Sequence, residues 1–211
     1  PEPEGGDKTV SSSALEIKDV PFSYGGGKEV LKGVNMSFPE NSLTAIVGES
    51  GSGKSTCVSL LMGAIRANSG EVTVGGTPIG ELDRADYYSH LGIVSYNTYI
   101  FNDSVRNNFL MYSPRATDEQ MYEALKEVNL DKFIREEGGL DKVISEDGVN
   151  ISGGQRQRLA LAVNLLADKS VYIFDEATSN IDGESEALIM DGVKKLSRRA
   201  AVVLISHRMA N

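Results

Sequence analysis

Along the first part of the chain, hydrophobic residues fall on every second position. Leu15 and Ile17, then Val34, Met36 and Phe38, alternate with polar neighbours, the spacing of half-buried strands, whose successive side chains point to opposite faces. Glu71–Val74, followed by Gly75-Gly76, predicts another short strand and a tight turn. These strands are expected to pair antiparallel. Residues 43–47, 171–174 and 202–205 differ, because they are unbroken apolar runs, as in parallel strands covered on both faces. They are expected to form a central sheet. Helical spacing appears at Val58, Leu61, Met62 and Ile65, at Met121, Leu125 and Val128, and at Leu159, Val163 and Leu166. Thr117 with Gln120, and Ser152 with Gln155, have capping-box spacing ahead of the second and third of these helices. Residues 101–149 lack buried-strand runs, which predicts a helical lobe inserted over about 101–152.

The opening residues 1–13 are polar, acidic and poor in large apolar groups, which predicts a flexible tether ahead of a domain covering 14–211. Since the chain opens on Pro1, it is expected to be cut from something longer. Its 211 residues suffice for a substantial core without disulfides. The single cysteine, Cys57, has no internal partner and fits a reducing compartment. A formal charge of -9 supplies no broad positive field for a phosphodiester backbone, so nucleic acid is not an expected partner. No apolar run approaches the roughly 20 residues of a membrane-spanning helix.

Candidate chemistry sits at the ends of the apolar runs. Gly48-Glu49-Ser50-Gly51-Ser52-Gly53-Lys54-Ser55 matches the phosphate-loop pattern and lies between a buried strand and an amphipathic helix. Its glycines let main-chain N–H groups turn toward phosphate oxygens, and the helix start adds a positive end. Lys54 would reach the terminal phosphates, and Ser55 would hold Mg2+, with Thr56 alongside. The bland alternative is a glycine-rich turn before a helix. After residues 171–174 come Asp175 and Glu176, at the strand end where open α/β sheets place ligands. Asp175 would hold Mg2+ through water and Glu176 would take a proton from the attacking water, whereas without the loop the pair is a solvated turn. Ser152-Gly153-Gly154-Gln155, after Ile151, is a capped, glycine-rich helix start able to receive an anion.

With these motifs the sequence resembles the ABC ATPase family over nearly all of residues 15–211. The family signature has Leu where this chain has Ile151. The resemblance implies a P-loop NTPase (RecA-like) α/β core with a parallel central sheet, an antiparallel β subdomain and an inserted α-helical subdomain. It gives Tyr24 the role of adenine platform, Ser179-Asn180-Ile181-Asp182 that of the loop after the catalytic Glu with Asp182 facing nucleotide, and His207 that of a switch contacting the γ-phosphate. By residue type alone, Tyr24 would be strand packing and His207 a solvated strand-end histidine. His90 and Cys57 match no family role. The family pairs two such domains head to tail around two ATP molecules, the phosphate loop of one facing residues 152–155 of the other. The implied partners are a second ATP-binding domain, the same or different, and a transmembrane domain at the cytoplasmic face of a membrane.

Ile144-Ser145-Glu146-Asp147-Gly148 and Phe101-Asn102-Asp103-Ser104-Val105 resemble phrases of the exporter branch, with Ser145 where Gly is usual. A soluble ATPase acting on nucleic acid or ribosomes would resemble the nucleotide loops equally, but it generally carries a coiled-coil insertion or tandem cores with basic linkers. A third reading is an ATP-gated module with little turnover. It is motivated by Tyr96, which stands where the family places a Mg2+-contacting glutamine. A phenol cannot supply an amide carbonyl to a metal, and Asn97 would substitute only if the loop shifted by one residue. The chain also stops soon after His207, so it is expected to be a shortened domain with reduced stability. Replacing Tyr96 with Gln is expected to raise the ATPase rate. An unchanged rate of phosphate release would make the departure harmless.

Overall fold

The computed structural model describes residues 5–95, 100–145, 150–175 and 182–206. In chain order the elements begin as β1 (Leu15–Ser23), β2 (Glu29–Phe38), β3 (Ser42–Val47), α1 (Lys54–Leu61), β4 (Glu71–Val74), β5 (Thr77–Pro78), α2 (Arg84–His90) and β6 (Leu91–Ser95). They continue as β7 (Asp103–Ser104), α3 (Val105–Tyr112), α4 (Asp118–Glu127), α5 (Asp131–Glu136), β8 (Val143–Ile144), α6 (Gly153–Ala167), β9 (Val171–Asp175), α7 (Gly183–Leu196) and β10 (Ala201–Ser206). Contacts divide the chain into two compact units, residues 1–91, 170–175 and 197–211, and residues 92–169 and 176–196.

In the first unit the alternating segments form an antiparallel sheet of order β2-β1-β4-β5. Leu15 lies opposite both Phe38 and Val74, which brings three buried apolar positions into one row. The unbroken apolar runs form the parallel strands, with β10 between β3 and β9. Val171 and Ile173 of β9 and Ala201, Val203 and Ile205 of β10 join the core built on β1, β2, β4 and α1. Tyr172, Phe174 and Val202 fall on the opposite strand face and are also buried, so β9 and β10 are covered on both sides, as their sequence predicts. β3 is not. Only Ile46 of this strand is buried and Val47 is 50% exposed, because β3 ends the row with β10 as its neighbour.

Two local features depart from the sequence pattern. Helix α1 ends at Leu61 rather than running to Ile65, because Gly63 takes a left-handed φ of 67° and closes the turn. The opening segment, though polar, is pinned over residues 6–13. Gly6 and Lys8 donate main-chain hydrogen bonds to Leu82 and Glu81, Asp83 returns one to Lys8, and the Val10 N–H reaches the Asp86 carboxylate at 2.7 Å. Composition reported the shortage of apolar side chains there, but the main chain needs none to pair.

The second unit is helical around α6, which packs on α3, α4 and α7. Leu159, Ala160, Leu161, Ala162 and Val163 are buried in succession, so α6 is enclosed rather than buried along one stripe. Both expected capping boxes are present, Thr117 with Gln120 on α4 and Ser152 with Gln155 on α6. The Arg158 guanidinium donates to the Val128 and Asn129 carbonyls where α4 ends, satisfying groups that a helix terminus leaves open. Arg106 of α3 pairs with Asp118 and Asp141, and Lys195 of α7 with Glu127 of α4. The unit is therefore wider than the 101–152 stretch expected from the lack of strand runs, because α6 and α7 supply the apolar surface that its shorter helices cover.

A bulge in β1 places Asp19 at a φ of 46°, with Asn35 hydrogen-bonded to its N–H and carboxylate. Gly70, itself at a φ of 75°, packs so close that a Cβ would lie 2.3 Å from the Asp19 carbonyl oxygen. Gly70→Ala is therefore expected to destabilise the fold by about 2 kcal/mol or more, from left-handed strain and a clash with main chain that cannot rotate away. Urea unfolding of the two proteins checks this.

Candidate nucleotide-binding site

The loop expected to bind phosphate occupies residues 48–53, between the end of β3 and the start of α1. Gly51 and Gly53 take φ values of 81° and 92°, which a side chain would resist. The loop closes on itself through the Ser52 N–H, which donates to the Glu49 carbonyl at 3.2 Å. A Cβ on Gly48 would lie 2.8 Å from Ser52 Oγ, and one on Gly53 would lie 2.6 Å from Leu31 Cδ2. Helix α1 opens at Gly53 without a side-chain cap. Its first N–H groups and the positive end of its dipole therefore favour an anion at the loop.

Lys54 is buried, with 6% of its surface accessible. Its ammonium donates to the carbonyl oxygens of Gly48 and Glu49, both at 2.7 Å. A lysine ammonium has three donors, so this arrangement ties the side chain across its own loop and leaves one hydrogen for a ligand. Glu49, Ser50, Gly51, Ser52 and Ser55 are exposed, while Thr56 is buried. Tyr24 is 54% exposed, meets Phe22 edge-on at 4.9 Å, and shares a 3.2 Å hydroxyl hydrogen bond with Thr56. The structure thus brings Tyr24 to Thr56 in the first turn of α1.

Strand register places the first acid. Asp175 at the end of β9 lies level with Ile205, and Ile205 lies level with Ile46 at the end of β3. Two strand spacings, about 10 Å, separate the Asp175 and Ile46 main chains. Ser55 and Asp175 offer oxygen donors alone, a set that suits Mg2+ rather than a thiophilic metal. Glu176, Tyr96, Asn97 and His207 lie outside the described residues, as do Ser179, Asn180, Ile181 and the Glu146-Asp147-Gly148 part of the exporter-like phrase. Cys57 is 2% exposed and burial pushes its thiol above the ordinary value, which keeps it protonated and unreactive. His90 sits beside Ser170, its Nδ1 3.0 Å from the serine hydroxyl.

The signature-like segment belongs to the second unit. Ser152 Oγ accepts from the Gln155 N–H at 3.1 Å, and Gln155 Oε1 accepts from the Ser152 N–H at 2.8 Å. Gly153 has open space where a Cβ would be, whereas one on Gly154 would meet Ser185 Oγ at 2.8 Å and Asp182 Oδ2 at 3.1 Å. Asp182, expected to face nucleotide, caps α7. Its carboxylate accepts from the Ser185 N–H at 2.8 Å, and its carbonyl accepts from Glu186. The Ser185 main-chain and side-chain hydrogen bonds hold this carboxyl below the usual range, with Arg158 adding to the effect. This α6–α7 contact was not expected from sequence, although Asp182 followed by Gly183 and apolar Ile189, Val193 and Leu196 is a helix-start signal.

Known proteins are similar to this chain in sequence and fold. The protein family described as ABC transporter matches residues 31–179. An uncharacterised ABC transporter ATP-binding protein of Haemophilus influenzae is 47% identical over 197 residues, covering 93% of this chain and 35% of that protein. The ATP-dependent lipid A-core flippase of Francisella tularensis is 37% identical over 213 residues, covering 99% of this chain and 35% of that one. A solved bacterial Atm1-family ABC exporter with ATP bound aligns with a TM-score of 0.86 at 29% identity, over 98% of this chain and 36% of that chain. The chain thus spans about a third of the length of these relatives.

Asp182→Ala is expected to lower the thermal midpoint at neutral pH by a few degrees through loss of the α7 cap. Because the folded-state pKa is depressed, the cap contributes fully above the ordinary carboxyl value of about 3.9 and fades as pH falls through the lower folded value. Melting curves of parent and variant should therefore converge in acid.

Proposed function

This chain belongs to the ABC transporter family, and we propose on that footing that it binds and hydrolyses ATP to drive export across a membrane. One observation carries the reading. An uncapped helix start, left-handed glycines and a buried lysine tied to loop carbonyls make a loop suited to cradle an anion. The β- and γ-phosphates would lie against the main-chain N–H groups of residues 48–53 and the remaining Lys54 donor. Tyr24, exposed beside Thr56, would carry the adenine.

Mg2+ would be held by Ser55 and, through water, by Asp175, where it would neutralise charge on the phosphates. Glu176 follows Asp175 directly and would accept a proton from the attacking water, and His207 follows β10 and would face the γ-phosphate. Ser152, Gly153, Gly154 and Gln155 would complete the site of a second ATP-binding domain, with Asp182 near that interface. Closure of the pair on ATP and its release after hydrolysis would pass a stroke to a transmembrane domain. Exporter rather than importer follows from the two exporter-like phrases and from the exporter and flippase likenesses. Among the described residues no helix is long and apolar enough to cross a membrane, so the spanning part would be a separate segment, with this chain at its cytoplasmic face.

Calorimetry and phosphate release on the purified chain test the reading. Lys54→Ala should weaken Mg-ATP binding about 10- to 100-fold, the value of a hydrogen bond to a charged group. Glu176→Gln should retain binding and lose about 100-fold or more in turnover. Unchanged affinity in the first variant, or unchanged turnover in the second, would overturn it.

A further inference from the structure

Residues 143–145 and the signature-like helix start are joined by one side chain. Asn150 Nδ2 donates to the Val143 carbonyl at 2.7 Å. Its Oδ1 accepts from the Ser145 N–H at 3.2 Å and from Ser145 Oγ at 3.1 Å. Asn150 therefore grips the β8 strand and its exit from both sides, while its own main chain leads through buried Ile151 into the Ser152 cap. With Ser152 two residues away, the reach of the intervening chain is under about 7 Å, so fixing Asn150 constrains where α6 begins.

The strand it grips is itself held. β8 pairs antiparallel with β7, Asp103 opposite Ile144 and Ser104 opposite Val143, and the Val105 N–H donates to the Lys142 carbonyl. A second asparagine fixes β7. Asn108, 1% exposed, accepts from the Phe101 N–H at 2.8 Å and donates to the Phe101 and Ser104 carbonyls at 3.1 and 2.9 Å. A two-residue strand pair has little stability alone. Here an amide side chain on each side holds it, and an amide is suited to this because it donates and accepts at once.

We propose that Asn150 is a positioning residue for residues 152–155, setting the start of α6 against the β7–β8 frame so that it meets the γ-phosphate held by a second copy of this chain. The proposal rests on the function proposed above, in which residues 152–155 complete a partner's nucleotide site. A side chain acting only on local stability would change unfolding and leave ATP-driven pairing untouched. One acting on position would spare Mg-ATP binding at the phosphate loop and weaken pairing.

The test uses the Glu176→Gln chain, whose slow turnover holds ATP in place, with self-association in Mg-ATP followed by sedimentation and binding by calorimetry. Asn150→Ala is expected to leave the Mg-ATP affinity near the parent's, to lower the thermal midpoint by a few degrees, and to weaken ATP-dependent self-association about tenfold, more than a destabilised control of equal midpoint does. Asn150→Asp keeps the acceptor for Ser145 but sets a carboxylate oxygen against the Val143 carbonyl, so a loss at least as large as that of Asn150→Ala is expected. Ser152→Ala serves as the control on the underlying reading. If it weakens self-association while both Asn150 variants match the parent, the positioning role is overturned and the reading of residues 152–155 stands. If Ser152→Ala also changes nothing, or the parent does not associate in ATP, the reading fails and the inference falls with it. A loss in both Asn150 variants that tracks only their thermal midpoints also overturns it.

Discussion

An open helix start facing a left-handed glycine loop is the constraint on which the first unit is built. Main-chain N–H groups have no side chains to adapt their position, so the strand before them and the helix after them must both be held rigidly. Leu31 packs where a Gly53 side chain would be, and the Lys54 ammonium ties the loop back onto the Gly48 and Glu49 carbonyls. The same lysine that would meet phosphate thereby also fixes the loop's shape. Parallel pairing does the rest, since β10 sets the end of β3 level with the end of β9. The loop and the Asp175 carboxylate are consequently placed by one register, and a slip of one residue would turn every buried side chain of β10 to the wrong face.

The second unit follows a different rule. Its short helices are stopped and oriented by polar side chains at their ends: Ser152 and Gln155 on α6, Thr117 and Gln120 on α4, Asp182 on α7 and Arg158 at the end of α4. Several of these groups meet near the start of α6. Gly154 admits the α7 cap because it has no Cβ, and Asn150 ties the preceding residues to β8. The signature-like segment is therefore stabilised as much by what lies behind it as by its own capping box. A glycine at 154 has a packing reason within this chain besides any it has toward a nucleotide.

The parts of this protein legible in its sequence were those whose signal is local. Period-two alternation located β1 and β2, unbroken apolar runs located the three parallel strands within a residue at each end, and two capping boxes marked helix starts that the structure keeps. Glycine spacing with Lys54-Ser55 marked the left-handed loop of residues 48–53, because the pattern itself demands that backbone geometry. What went unseen was decided over distance. The burial of α6 on all sides, the exposure of β3 and the docking of residues 6–13 depend on neighbours far along the chain. So does the contact of the Asp182 cap of α7 with Gly154 of α6, although the cap signal itself is local.

The sequence by itself determined the chemistry available to this protein, since a phosphate loop, a strand-end acid pair and a glycine-rich helix start are each written in a few consecutive residues. Only tertiary structure decided which main-chain atoms hold Lys54, which strands stand level, and which side chains fix the start of α6. Those arrangements join residues dozens of positions apart, and no short-range pattern of hydrophobic and polar residues encodes the pairing of two distant segments.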